Sequence, residues 1–238
     1  PAASATDGTL FLVDSDSSGT HQILTDGGNV DFSAVTAVTL SAANVQIDTD
    51  DANNGTAGTV NIANAVLNGD SVGGETLTVD ARGTTNGTVT LSDLGTGTAF
   101  GGVSVYGGSV TVGSVETDNG AIVVSGPAGV TSNGSSISIA NAAGGDDTIT
   151  VTGNVTLNDS LTVTGGGNAG DTVQFGGTIN ADSVANERYL VIDAGAGDVT
   201  VLGDIGGGTA LDAVDIDGAA VAVRCVTVRD ASVYDGGS

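Results

Sequence analysis

Acidic side chains are the residues of this chain most able to do chemistry, since 28 Asp and Glu stand against four Arg and no Lys. Carboxylate oxygens are the ligands that Ca²⁺ prefers. Three acidic, glycine-containing stretches place them in loops, namely DTDDANNG (48–55), GGDDTITV (144–151) and GGGNAGDTVQF (165–175). The first lacks EF-hand spacing, and the other two are degenerate forms of a calcium-binding nonapeptide. The sequence leaves two interpretations, calcium ligands or solvated turn carboxylates, for Asp48, Asp50, Asp146, Asp147 and Asp171.

A second acidic group could act on polysaccharide. Asp215 and Asp217 alternate with apolar residues, so we expect them to share an exposed strand face close to Asp212. Paired carboxylates can serve as acid and base, but a lyase also needs a cation or a metal, and four arginines supply little. The only imidazole, His21, completes no nucleophilic constellation. We therefore expect no enzyme and no catalytic residue. The alternative is a carbohydrate-binding or carbohydrate-active β-helix that uses these aspartates with Tyr106, Tyr189 or Tyr234.

The charge balance excludes several classes of partner. A formal net charge of −24 cannot displace counterions from phosphate, so nucleic acid is excluded as a ligand, and an anionic membrane surface would repel the chain. No apolar run approaches the roughly 18 residues of a membrane-spanning helix.

The single cysteine, Cys225, excludes an intrachain disulfide and predicts either a small buried side chain or an intermolecular bridge.

Five Asn-x-Ser/Thr sequons occur in a sequence that is rich in Asn, Ser and Thr. Some of them arise by chance at this composition. In a secreted protein of a glycosylating host they would be exposed acceptor sites. The candidate glycosylation sites are Asn54, Asn86, Asn133, Asn154 and Asn158.

Alternation of apolar and polar residues with period two dominates the chain and predicts β-strands. Triplets such as VTL (89–91), VSV (103–105) and VTV (110–112) recur to the end of the sequence, separated by Gly, Asn-Gly and Asp. These separators are turn residues. No segment keeps a helical period, so we predict an all-β fold in which one face of each strand is buried.

The sequence also predicts an internal duplication. The segment 57–112 aligns with the segment 169–223, with short gaps in turns. The offset between the two gives an internal repeat of roughly 112 residues, the kind of self-similarity that marks repeat architectures. We therefore divide the chain into an atypical N-terminal segment or cap (1–40), a first copy (41–153) and a second, truncated copy (154–238). The truncation predicts either a piece of a longer array or a chain that pairs with a neighbour.

Two architectures fit this pattern. Short strands of Val, Ile and Leu favour an elongated β-solenoid (β-helix), in which strands of successive turns stack and bond to each other. Tandem β-sandwich domains of about 110 residues are the alternative. Sandwich cores usually contain large aromatics, and this chain has only three Tyr and four Phe, so the solenoid is favoured.

The segments LTVDARGTTNGTVTLSDLGTGTAFGGVSV (77–105) and YLVIDAGAGDVTVLGDIGGGTALDAVDI (189–216) resemble the β-strand repeats of giant bacterial surface exoproteins, the filamentous-haemagglutinin-like adhesins. The resemblance implies a secreted, extracellular or cell-surface structural protein of adhesion, biofilm or filament formation. It implies no catalytic residue and no cofactor. We expect head-to-tail self-association, with surface glycans or cell-surface receptors as further partners.

Overall fold

The computed structural model describes residues 2–6, 9–13, 19–41, 43–50, 55–140 and 147–236, with side chains for 19–41, 43–50, 55–140 and 147–230. Within these ranges the fold is all β, which confirms the sequence prediction, and no helix there could cross a membrane. The strands are β1 (Ala2–Thr6), β2 (Thr9–Val13), β3 (Thr20–Leu24), β4 (Val30–Asp31), β5 (Ala37–Leu40), β6 (Asn44–Asp48), β7 (Val60–Ile62), β8 (Val66–Gly69), β9 (Thr76–Asp80), β10 (Thr88–Leu91), β11 (Gly102–Tyr106), β12 (Ser109–Val112), β13 (Val115–Thr117), β14 (Ile122–Ser125), β15 (Gly129–Ser132), β16 (Ser136–Ile139), β17 (Thr148–Thr152), β18 (Val155–Leu157), β19 (Leu161–Thr164), β20 (Thr172–Phe175), β21 (Ile179–Ala181), β22 (Tyr189–Asp193), β23 (Asp198–Ile205), β24 (Leu211–Gly218), β25 (Ala220–Val226) and β26 (Val228–Gly236).

The strands form three ladders that the chain visits in turn. The first ladder contains β3, β6, β9, β11, β14, β17, β20, β23 and β25, and the second contains β4, β7, β10, β12, β15, β18, β21 and the end of β23. The third contains β2, β5 and β8, continues through bridges at Leu94 to β13, and ends with β16, β19, β22, β24 and β26. Among the described strand pairs only β1 and β2 are antiparallel.

The hydrophobic core consists of the inward residues of these ladders. In the first ladder Val79, Val105, Val124 and Val151 are consecutive partners, and all are buried. The polar residue between each pair of apolar residues points outward, because side chains alternate along a strand. One cluster of buried residues extends across position 153, the predicted boundary between the two sequence copies, and includes both Val151 and Val155.

Glycines form a close-packed column at the corner between the first and second ladders. A Cβ on Gly153 would lie 2.1 Å from the carbonyl oxygen of Gly126, and one on Gly177 would lie 2.3 Å from that of Gly153. A Cβ on Gly203 would in turn lie 2.4 Å from the Gly177 carbonyl oxygen. Gly153 also has a φ of +113°, which other residues rarely adopt. The corner therefore requires glycine on three successive passes of the chain, at Gly153, Gly177 and Gly203.

The two aligned sequence copies share a local hydrogen-bonding pattern. The Oδ1 of Asn68 accepts the N–H of Gly97 at 2.8 Å, and the Oδ1 of the aligned Asn180 accepts the N–H of Gly208 at 2.8 Å. Asn68 belongs to β8 in the third ladder, whereas Asn180 belongs to β21 in the second. Aligned positions thus resemble each other locally without occupying the same ladder, and the duplication stays a prediction.

The predicted cap, residues 1–40, contributes strands to the same ladders as the rest of the chain. Strands β3, β4 and β5 pair in parallel with β6, β7 and β8. The departure from the pattern is the antiparallel hairpin of β1 and β2, whose second strand pairs with β5. Whether this hairpin caps the ladders stays a prediction.

Candidate functional site

Four of the aspartates predicted to bind calcium, Asp48, Asp50, Asp147 and Asp171, are described and buried, and Asp48 and Asp171 hold turns together. The Oδ1 of Asp171 accepts the N–H of Asp147 at 2.9 Å, and its Oδ2 accepts that of Asn168 at 2.7 Å. The Oδ1 of Asp48 accepts the N–H of Asp50 at 3.0 Å. Carboxylates that accept backbone N–H groups stabilise turns without any metal. Among the residues with described side chains, no three acidic, His or Cys residues come together as a metal would need. Asp146 lies outside the described residues.

Asp50 differs from the other buried aspartates because one of its oxygens has no partner among the described residues. Its side chain is fully buried, and its Oδ2 accepts the N–H of Gly55 at 2.8 Å. Its Oδ1 is buried and accepts no hydrogen bond from the residues that the structure describes. Leaving a buried acceptor unsatisfied costs roughly 1–3 kcal/mol. Calcium binding at Asp48 and Asp50 stays a prediction. It depends on Asp50, because Asp50 Oδ1 is the buried oxygen that lacks a described hydrogen-bond partner.

Asp80 is a buried carboxylate that an arginine neutralises. The Nε of Arg82 donates to Asp80 Oδ1 at 2.9 Å, and its Nη2 donates to Oδ2. These hydrogen bonds raise the pKa of the Arg82 guanidinium above its usual range. The guanidinium also lies 4.0 Å from the centre of the Tyr106 ring, a cation–π contact. Arg82 therefore covers one face of the Tyr106 ring, which reduces the area that this ring offers to a sugar.

The aspartates of β24 come together with Tyr189 on the outer surface of the third ladder. Tyr189 is directly opposite Ala213, and the next outward residues pair Val191 with Asp215 and Asp193 with Asp217. Tyr189 is 42% exposed, and its small neighbour Ala213 leaves the ring uncovered on that side. We call Tyr189, Val191, Asp193, Asp215 and Asp217 the tyrosine patch.

Charged side chains flank the tyrosine patch. The carboxylate of Asp212, which forms an ion pair of 3.8 Å with Arg229, is the main cause of the raised pKa of Tyr189. Arg188 donates from Nε to Asp182 Oδ1 at 2.9 Å, and this bond lowers the pKa of the Asp182 carboxyl. The loop that precedes Tyr189 is thereby held in place. The side chain of Tyr234 lies outside the described residues.

The described sequon asparagines lie along one side of the molecule. Asn133, Asn154 and Asn158 are exposed and adjoin strands of the second ladder, and Asn86 lies just before β10 of that ladder. Asn158 Nδ2 donates to Asn133 Oδ1 at 2.8 Å. Asn54 lies outside the described residues. Glycosylation of these sites stays a prediction.

His21 and Cys225 occupy unlike environments. His21 is buried in the first ladder beside Val45, and its Nε2 has no hydrogen-bond partner within the described part of the chain. Cys225 is exposed and unpaired, so the small buried side chain expected for a lone cysteine is wrong. It lies on β25 opposite Asp204. An intermolecular bridge through Cys225 stays a prediction.

A pair of acidic side chains that the sequence analysis missed lies in the turn between β8 and β9. Glu75 is buried, and its Oε1 accepts the Oγ–H of Ser71 at 3.0 Å. Burial, reinforced by a hydrogen bond with the Asp70 carboxyl, raises the pKa of Glu75 above its usual 4.5. The signal in the sequence is the DSVGGE spacing, which lets a tight turn fold Glu75 back towards Asp70.

We expect the Glu75→Gln variant to have a higher melting temperature than the wild-type protein at pH 7. A raised pKa in the folded state means that the contribution of Glu75 to stability is full below pH 4.5 and is lost as the pH rises through the folded value. The difference should therefore shrink or reverse at pH 4. Thermal unfolding at both pH values checks this, with Glu116→Gln, on a half-buried side chain, as the control. Equal melting temperatures at pH 7 would contradict it.

Comparison with models of protein families, with curated proteins and with solved structures finds no match to this chain. The function therefore has to be argued from the chain's own geometry.

Proposed function

We propose that this chain is a non-enzymatic structural protein of the cell exterior, a β-solenoid segment that serves as a stalk or as a subunit of a head-to-tail filament or adhesin. The observation that carries the proposal is the order in which the chain visits its ladders. Successive strands enter the first, second and third ladder in turn, and each joins the strand of the previous pass in parallel. Parallel winding of this kind supports a solenoid, whereas a sandwich is built from antiparallel sheets.

The composition supports an exterior location. A net charge of −24 with no lysine suits a protein that stays soluble in a salty medium, where salt screens the repulsion between copies. The resemblance of residues 77–105 and 189–216 to the strand repeats of surface exoproteins agrees with this location.

Open strand edges support the head-to-tail form. Within the described residues β25 pairs only with β23, and β26 pairs only with β24. An unpaired strand edge is a template for another chain. The outer edges of β3 and β4 are open in the described residues as well, so an edge is available at either end of the ladders.

Electron microscopy and small-angle X-ray scattering of the purified chain test this proposal. We expect a rod-like particle, and fibres whose number rises with protein concentration. Ala222→Pro in β25 removes one N–H from an edge strand, where proline is tolerated, and should reduce the number of fibres without changing the rod. A globular scattering profile would exclude the stalk and the filament alike. Rods that never assemble would exclude the filament alone.

A carbohydrate-binding function is a second candidate, favoured by the way strand register assembles the tyrosine patch. An exposed ring can stack on a sugar, and nearby carboxylates can accept hydrogen bonds from its hydroxyls. Tyr189→Ala should abolish retention on a polysaccharide that the wild type binds, and Asp215→Ala and Asp217→Ala should weaken it. Tyr106→Ala is the matched control, since Arg82 covers that ring. Equal retention of all variants, or no retention of the wild type on a polysaccharide panel, would exclude this function. Turnover of any substrate would contradict the non-enzymatic proposal.

A further inference from the structure

The chain contains five Asn-Gly pairs, in which the side-chain amide can react with the backbone nitrogen that follows it. Hydroxide removes the proton of the glycine N–H, and the nitrogen attacks Cγ of the asparagine to close a succinimide ring. The departing amide nitrogen takes a proton from water, so ammonia leaves and hydroxide is regenerated. Water then opens the ring and leaves aspartate or isoaspartate. Glycine favours ring closure because it has no Cβ to hinder the approach.

The structure divides the Asn-Gly pairs by what holds the glycine N–H. The N–H of Gly69 donates to the Thr98 carbonyl oxygen at 3.2 Å, and that of Gly87 donates to the Ala81 carbonyl oxygen at 2.8 Å. The N–H groups of Gly120 and Gly134 donate to no residue that the structure describes. Asn54, of the fifth pair, lies outside the described residues. A hydrogen-bonded N–H has to leave its acceptor before it can lose its proton, so the first two pairs are protected.

The pairs Asn86-Gly87 and Asn133-Gly134 are closely matched apart from this bond. In each pair the asparagine is exposed and the glycine is buried. Each pair also lies in a turn shortly before a strand, β10 in one case and β16 in the other. A difference in reactivity between the two asparagines therefore reports on local hydrogen bonding, since neither sequence nor exposure separates them.

The asparagine side chains differ in their anchors as well. The Oδ1 of Asn86 accepts the backbone N–H of Gly83 at 3.1 Å. The Oδ1 of Asn133 instead accepts the Nδ2 of Asn158 at 2.8 Å, a hydrogen bond between two exposed side chains. Water competes for such a bond, so it opens readily. The amide of Asn133 is thereby free to turn towards the nitrogen of Gly134.

We propose that Asn133 is a site of spontaneous deamidation, with Asn119 as a second site because Gly120 has the same unbonded N–H. Asn68 and Asn86 are protected as long as the chain is folded. The reaction needs only the chain and water. Its product adds a carboxylate beside Asn158 and removes the glycosylation sequon at position 133.

The isoaspartate product should weaken the turn between β15 and β16. Isoaspartate inserts one methylene group into the backbone next to Gly134. This glycine is already tightly packed, since a Cβ added to it would lie 2.0 Å from the backbone nitrogen of Ser114. We expect the isoaspartate form to melt at a lower temperature than Asn133→Asp, which has the same charge without the extra methylene group.

The test incubates the purified full chain at mildly alkaline pH, with and without urea, and follows each Asn-Gly pair by peptide mass spectrometry. Without urea we expect Asn133 to deamidate severalfold faster than Asn86. In urea the two rates should become equal, because the hydrogen bond that protects Asn86 is lost. Asn119 and Asn68 form a second pair with the same expectation. Asn133→Gln, whose longer side chain closes the ring far more slowly, checks that the signal belongs to Asn133.

Equal rates at Asn133 and Asn86 in the folded chain would overturn the proposal. A folded chain in which neither residue deamidates, although both do so in urea, would overturn it as well. Rods, fibres and retention on polysaccharides are measured on freshly purified protein, so the proposed function and the deamidation site fail separately.

Discussion

Phe175→Ala is expected to lower the free energy of unfolding by about 3–5 kcal/mol, as for other buried aromatic-to-alanine changes. Phe175 is fully buried and lies between Val151 and Val201 on the neighbouring strands of the first ladder. It also borders a small apolar cavity together with Val130 and Leu161. Truncation would enlarge this cavity and remove contacts on both neighbouring strands, so we expect the upper end of the range.

Urea unfolding followed by circular dichroism measures this effect. Leu202→Ala is the control, because Leu202 is 56% exposed on β23 and should change stability by no more than about 0.5 kcal/mol. Phe175→Leu keeps most of the volume and should cost less than about 1.5 kcal/mol. An unchanged unfolding midpoint for Phe175→Ala would show that Phe175 does not support the core.

Gly177→Ala is the second change with a large expected effect. The added methyl group would lie 2.3 Å from the Gly153 carbonyl oxygen and 2.8 Å from the Asn154 nitrogen, both backbone atoms that cannot rotate away. The corner between the first and second ladders would have to widen. Overpacking of this kind typically costs about 1–3 kcal/mol.

Gly102→Ala separates this steric effect from the general effect of replacing glycine. Gly102 lies in β11, and the nearest atom to its added Cβ is 3.7 Å away, an ordinary contact. We expect Gly102→Ala to be neutral or slightly stabilising, because it reduces the entropy of the unfolded chain. Thermal unfolding of both variants is the measurement, and equal melting temperatures would argue against the close-packed glycine column.

The strands were predictable from sequence because apolar alternation marks them directly. Triplets such as Val89–Leu91 and Val110–Val112 lie within strands, with both apolar residues buried. The triplet at 226–228 is an exception, since Thr227 separates β25 from β26. Some short strands contain no such triplet. Strand β4 has a single buried residue, and the second buried residue of β13 is Thr117.

Strand register was not predictable, because the triplets are nearly interchangeable. Val105 could stack on any of many valines, and turn length and the glycine corners decide that it pairs with Val79 and Val124. The same limit applies to the candidate sites. The tyrosine patch depends on Tyr189 and Asp215 lying on adjacent strands, which only the register brings about.

The burial of Asp50 and Asp171 was hidden in the sequence as well. A turn aspartate looks the same in sequence whether it faces solvent or backbone N–H groups. Only the path of the chain around it decides between the two environments.

The regular parallel ladders also determine how fast this chain should fold. The pairing of Asn44 with Thr76 spans the longest stretch of sequence among the parallel strand pairs, and that of Leu211 with Val228 the shortest. Relative to a chain of 238 residues, these spans give a relative contact order of about 0.1, within the range of helical bundles and below that of β-sandwiches. Each pass of the chain needs only the preceding pass as its template. The protein can therefore fold progressively, one pass after another, with no strand pairing that has to wait for a distant part of the chain.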